Sequence, residues 1–234
     1  MATTRALPDW DAGPIAYPRG RKVLLASILF GPFALFGVAM TLLGTGWTLG
    51  SLGLGLGWIV FLLANQWRAT RKTVLAGRTV TTLEDASFRN IVEGLASKSG
   101  IPTPELSLIE EGGPNALVLK RPAARIAVTR SLLDSYSRTE KEAVAAHCLL
   151  RLGSAPLGIA QLAAALGRPG SRFAPKVGYE DDVHAAALTR YPPALASAIA
   201  KAKPAEGSGS ALWFVAHDAS HRHPTERIAA LQDL

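Results

Sequence analysis

The sequence predicts an α+β protein in two parts, an N-terminal transmembrane helical hairpin followed by a mainly helical domain with a small β-sheet. Three observations carry this. Two long uncharged apolar runs stand close together near the N-terminus; short β-like segments follow residue 100; and helix-start and helix-stop signals punctuate the rest. The chain has 234 residues, a formal charge of +7, a pI near 9.9 and a mean hydropathy of +0.19. That length suits one domain with accessory segments, and the positive hydropathy points to lipid. The expected division is 1–22 as an N-terminal cytoplasmic segment, 23–67 as the hairpin and 68–234 as a cytoplasmic domain.

Val23 to Leu43 carries no charge and is about as long as a helix needs to cross a hydrocarbon core. Gly44 to Thr48 breaks it, and Leu49 to Asn65 is a second uncharged run. So short a connection makes the two spans an antiparallel pair, and helices satisfy the backbone where water is absent. Arg19, Arg21 and Lys22 precede the pair, Arg68, Arg71 and Lys72 follow it, and the loop between has no basic residue. The positive-inside rule therefore predicts a multi-pass protein of the cell membrane with its N-terminus and C-terminal domain cytoplasmic. The long apolar core, its charged and Pro-containing leader and the immediate second span argue against a cleaved signal peptide. Trp47, Trp58 and Trp67 are candidate interface anchors. Gly53 and Gly57 make a small-xxx-small pair suited to packing within the hairpin or against another subunit. The bilayer is thus one expected partner, and a protein partner or a second copy another. No basic helix with interleaved aromatics and no zinc-finger spacing appears, so nucleic acid is not expected. One cysteine excludes an internal disulfide.

Beyond the hairpin, Val74 to Thr82 reads as a connector. Asp85 to Ser99 has helical spacing through Phe88, Ile91, Val92 and Leu95, with Gly100 as its stop. Glu105 to Glu110, Asn115 to Leu119 and Arg125 to Thr129 read as short strands, the first two separated by a Gly-Gly-Pro turn. Ser137 and Glu140 form a capping-box pattern that opens a helix ending at Gly153. Pro156 to Leu166, Glu180 to Thr189 and Pro193 to Lys203 read as helices, Pro204 to Ser210 as a flexible linker, Leu212 to Val215 as a strand and Thr225 to Leu231 as a closing helix.

Several of these segments, in order, resemble the HtpX-like membrane zinc metallopeptidases, the gluzincin group that includes the CAAX prenyl protease. They are IVEGLASKSGIPTPE from Ile91, Pro114-Asn115-Ala116, ARIAVTRSLLD from Ala124, the helix Ser137 to Gly153, ALTRYPPALASAIAKA from Ala187, and His223-Pro224 with Arg227-Ile228. The resemblance implies a zincin-like fold and, in its active members, zinc held by two histidines of an HExxH helix with a Glu beside the first as general base. Here His147 takes the first ligand position, Cys148 stands at the general base and Arg151 at the second histidine. The third ligand position falls on Gly178, and the supporting Asp matches Asp182. None of the five histidines is followed by Glu.

A guanidinium has no lone pair to give a metal and stays charged. Arg151 is therefore expected to occupy the metal's space and to pair with Asp182, or with Glu180 or Asp181. The reading that follows is a pseudopeptidase: a membrane-anchored, catalytically inactive relative with a binding, regulatory or structural role, with no catalytic residue and no metal or other cofactor expected. The alternative is an atypical metalloendopeptidase whose zinc is held by His147, Cys148 and His184. Two further features stay open. Asn115 is either a residue of the substrate-binding edge implied by the resemblance or an ordinary turn residue. His217, His221 and His223 are either a second metal cluster or loop residues around a structural His-Pro.

Overall fold

A computed structural model describes residues 78–121, 123–165, 179–207, 209–217 and 221–234, together with positions 36–37, 50, 53, 55–58, 60–61 and 75. The predicted hairpin, Val23 to Asn65, and position 178 lie largely or wholly outside the described residues. Among the described residues no helix is long and apolar enough to cross a membrane.

The observed architecture is α+β, with helices around a small open sheet. Its elements are β1 (Val80–Thr82), α1 (Ala86–Ser99), β2 (Glu105–Ile109), β3 (Ala116–Leu119), β4 (Arg125–Thr129), α2 (Arg130–Ser135), α3 (Arg138–Gly153), α4 (Ala155–Ala165), α5 (Tyr179–Thr189), α6 (Pro192–Lys201), a 3-10 turn (Ser210–Leu212) and α7 (Pro224–Gln232). The sheet order is β1-β2-β4-β3, with β2 and β4 parallel and the outer pairs antiparallel. β3 and β4 are buried almost along their whole length, which accounts for their unbroken apolar runs.

Local chemistry sets the helix ends. Asp85 accepts a hydrogen bond from the Phe88 amide at the start of α1, and Gly100 closes that helix at φ 66°, where a side chain would be strained. Ser137 and Glu140 form a complete capping box on α3. Glu140 then reaches beyond its own helix, accepting from Ser197 Oγ at 2.6 Å and Lys201 Nζ at 2.9 Å, which ties α3 to α6. α3 is the central helix. It packs against α1, α4, α5, α6 and β3, and its residues from Ala143 to Leu149 are buried on every side.

Three expectations are corrected here, and one segment that the sequence leaves unassigned is placed. The C-terminal end of the connector, Val80–Thr82, is a strand, because its backbone finds β2 as a partner: Val80 pairs with Ile109 and Thr82 with Ser107. Arg130–Ser135 is a short helix capped by the Thr129 side chain. The apolar stretch from Leu212 to Val215 forms one bridge, Leu117 to Trp213, and its first residue closes the 3-10 turn. The linker expected to be flexible is tied down: Ala205 bridges Ala216, with its amide 3.0 Å from the Val215 carbonyl.

Candidate active site

α3 presents His147 and Arg151 on one face, four residues apart. α5 faces it and carries Asp182 in its first turn, and α7 brings Arg227 from the far side. All four side chains are buried: His147 and Asp182 at 0% exposure, Arg227 at 1% and Arg151 at 4%.

Asp182 and Arg227 form the strongest interaction in the site. The guanidinium donates from Nε to Oδ2 and from Nη2 to Oδ1, both at 2.7 Å, and from Nη1 to the Phe214 carbonyl at 2.9 Å. This is the bidentate geometry that best offsets the desolvation of two buried charges. Burial alone would raise the Asp182 pKa; the guanidinium of Arg227, helped by His147, holds it far below the usual carboxylate range.

His147 approaches Asp182 with Nδ1 3.1 Å from Oδ1. The contact is close enough for a hydrogen bond but not aligned for one, so neither ring nitrogen has a hydrogen-bond partner. The ring stands edge-on to Phe214 at 5.1 Å. Burial pushes the imidazole below its ordinary pKa; Asp182 opposes that shift, while Arg227 and Arg151 add to it. His147 is thus a neutral, fully buried ring.

Arg151 does not make the expected ion pair. Its Nη1 donates to the Trp213 carbonyl at 3.0 Å and its Nη2 to the Ala211 carbonyl at 2.6 Å. Both oxygens of Asp182 are engaged by Arg227, and Asp181 acts on Arg151 through space, against the effect of burial. The guanidinium is buried, and backbone carbonyls solvate it. Arg227 is the partner that the sequence reading missed. Two signals pointed to it: Asp182 sits in a buried apolar setting that requires a cation, and Arg227 shares a helix face with Leu231, four residues on.

The remaining candidates separate. Cys148 is fully buried, and burial pushes its thiol up to about 12, so it is a protonated apolar group rather than a thiolate. His184 is half-buried on α5, with Nδ1 2.7 Å from the Glu180 carbonyl of its own helix. Asn115 is buried immediately before β3. It is 2% exposed, and its Nδ2 donates to the carbonyls of Lys203 at 2.7 Å and Val215 at 2.8 Å. Its Oδ1 accepts from the amides of Ala116 and Val215. His223 caps α7, accepting from the Thr225 amide; His221 has its Nε2 3.1 Å from the Trp213 carbonyl; His217 is exposed, its ring 6.0 Å from that of His223.

The zinc implied by the resemblance does not fit these residues. The orphaned Nε2 of His147 is one ligand atom of the right kind. The charged groups acting on this ring are the guanidiniums of Arg151 and Arg227 and the Asp182 carboxylate, whose oxygens are both engaged, and the Cys148 thiol is protonated. Among the described residues no group of three His, Cys, Asp or Glu is arranged to hold a metal ion. Positions 166–178, next to the site in sequence, bring no residue of those types.

The site thus pairs a buried His on α3 with a buried Asp on α5. Comparison with known proteins finds partial similarities. No family model matches the chain. It is 31% identical over 106 residues to a protease HtpX homolog of Dictyoglomus turgidum, covering 42% of this chain and 35% of that protein. With the Thermococcus kodakarensis protease HtpX homolog it is 32% identical over 136 residues, 53% of this chain and 46% of the relative. A third, from Picrophilus torridus, is 45% identical over 60 residues, 25% of this chain and 20% of the relative. The chain thus matches less than half the length of these curated relatives. Among solved structures, the crystal structure of S. mikatae Ste24p overlays 90% of this chain and 64% of that one at 19% identity, with a TM-score of 0.46. By sequence the chain is similar to HtpX-like proteases over part of its length.

Proposed function

We propose that this chain is a membrane-anchored HtpX-like pseudopeptidase, without hydrolytic activity, that works by binding. One observation carries the reading: Arg151, at the position of a zinc-ligating histidine, is buried and committed to two backbone carbonyls. A fixed cation beside His147 repels a dication in a site of low polarity, and the position of the general base holds a protonated thiol. The intact ion pair of Asp182 and Arg227 supports retention of the scaffold after loss of the chemistry. The two uncharged N-terminal runs with basic flanks support anchoring as a hairpin, with the domain on the cytoplasmic side.

The test is a paired assay on the full chain in detergent. Purified protein supplied with zinc is expected to leave unfolded casein uncut. A partner that co-purifies with the wild type is expected to remain bound in His147→Ala. Cleavage that disappears in His147→Ala would instead support the atypical metalloendopeptidase.

A further inference from the structure

The open edge of β3 is where an extended polypeptide would add to this sheet by backbone pairing. It is already taken. The Phe214 amide donates to the Ala116 carbonyl at 2.8 Å, and Trp213 bridges Leu117 in antiparallel register. The rest of the segment is held at both ends. Asn115 grips the Lys203 and Val215 carbonyls, the Lys203 amide donates to the Pro114 carbonyl at 2.8 Å, and the His217 amide donates to the Ala205 carbonyl at 2.9 Å. Gly113 permits this docking, since a Cβ there would lie 2.5 Å from the Lys203 side chain. From the other side, Arg151 takes the carbonyls of Ala211 and Trp213, and Arg227 that of Phe214. Positions 210–216 are buried throughout, and Phe214 lies on the ring of His147.

We propose that Ser210–Ala216 is a resident occupant of the β3 edge, an internal strand mimic that Arg151 holds in place of a substrate. Resting on the pseudopeptidase reading, this adds that the former groove is closed from within and that a polypeptide partner is bound elsewhere on the molecule. Arg151 is then a positioning residue. A guanidinium offers several donors in a fixed fork, suited to two carbonyls two residues apart. A histidine would reach one at most.

Amide hydrogen exchange on the full chain in detergent tests this. Peptides covering 203–217 are expected to be protected to the same degree as those covering α3, and unfolded casein in excess is expected to leave that protection unchanged. Arg151→Leu is expected to speed exchange across 211–217 by about tenfold with α1 unaffected, and Arg151→Lys, with a point charge in place of the fork, by less. Rapid exchange of 203–217 in the wild type would overturn the proposal, a result that does not depend on any variant folding. So would casein-dependent change at these amides, or no local effect of Arg151→Leu. Zinc measured on the same sample reports separately: bound zinc defeats the pseudopeptidase reading, whereas exchange alone decides who occupies the edge.

Discussion

The surroundings of Arg227 and of Arg151 grip the same stretch of backbone, from Ala211 to Phe214, on different terms. Arg227 is neutralised by a carboxylate that meets it with both oxygens. Arg151 hydrogen-bonds to carbonyl oxygens alone, and burial pulls its pKa down from the usual guanidinium value against the more distant charge of Asp181. The first arrangement is a self-sufficient ion pair. On the proposed reading, the second is a cation at a metal-ligand position, stabilised by the backbone acceptors beside it. The difference then separates an ion pair that holds the domain together from a cation held by backbone alone.

If that contrast is right, the two arginines respond unequally to removal. Arg227→Met strands a buried carboxylate and is expected to cost about 3–5 kcal/mol, read as a lower midpoint in denaturant unfolding. Asn115→Leu, which orphans backbone groups at Lys203, Val215 and Ala116, is expected to cost about 3 kcal/mol by the same measurement. A third effect lies outside both neighbourhoods and serves as a control. Burial works to raise the Glu140 pKa, but Lys201, Ser197 and Ser137 together bring it down to about 2. Its contribution is complete above the ordinary value of 4.5 and is lost as pH falls from there toward 2. Glu140→Gln should remove about 2 kcal/mol of the acid dependence over that window, whatever happens at the two arginines. Arg151→Leu is expected to have the smallest global effect, about 1 kcal/mol, because it removes a costly buried charge along with its hydrogen bonds. A loss at Arg151 as large as that at Arg227 would erase the contrast.

Much of the fold was legible because its signals are local. The capping box of Ser137 and Glu140, the stop at Gly100 and the apolar runs of β3 and β4 each depend on a few neighbouring residues. β1 was not legible: Val80-Thr81-Thr82 has no pattern of its own and becomes a strand only because Ile109 and Ser107 stand beside it. The segment after Pro204 misled for the same reason, since its Gly and Ser composition suggests freedom while Asn115, about ninety residues earlier, removes it. In the site, the matching position 147 and the departing positions 148 and 151 could be read from one helix. Which arginine would meet Asp182 could not, because 151 and 227 are both plausible until α7 is placed.

The zinc content of the full chain, purified without chelator and dialysed against a trace of zinc, bears most directly on the claim that a guanidinium has displaced the metal. Far less than one zinc per chain is expected, with no difference between wild type and His147→Ala. One tightly held zinc per chain, lost in His147→Ala, would contradict it.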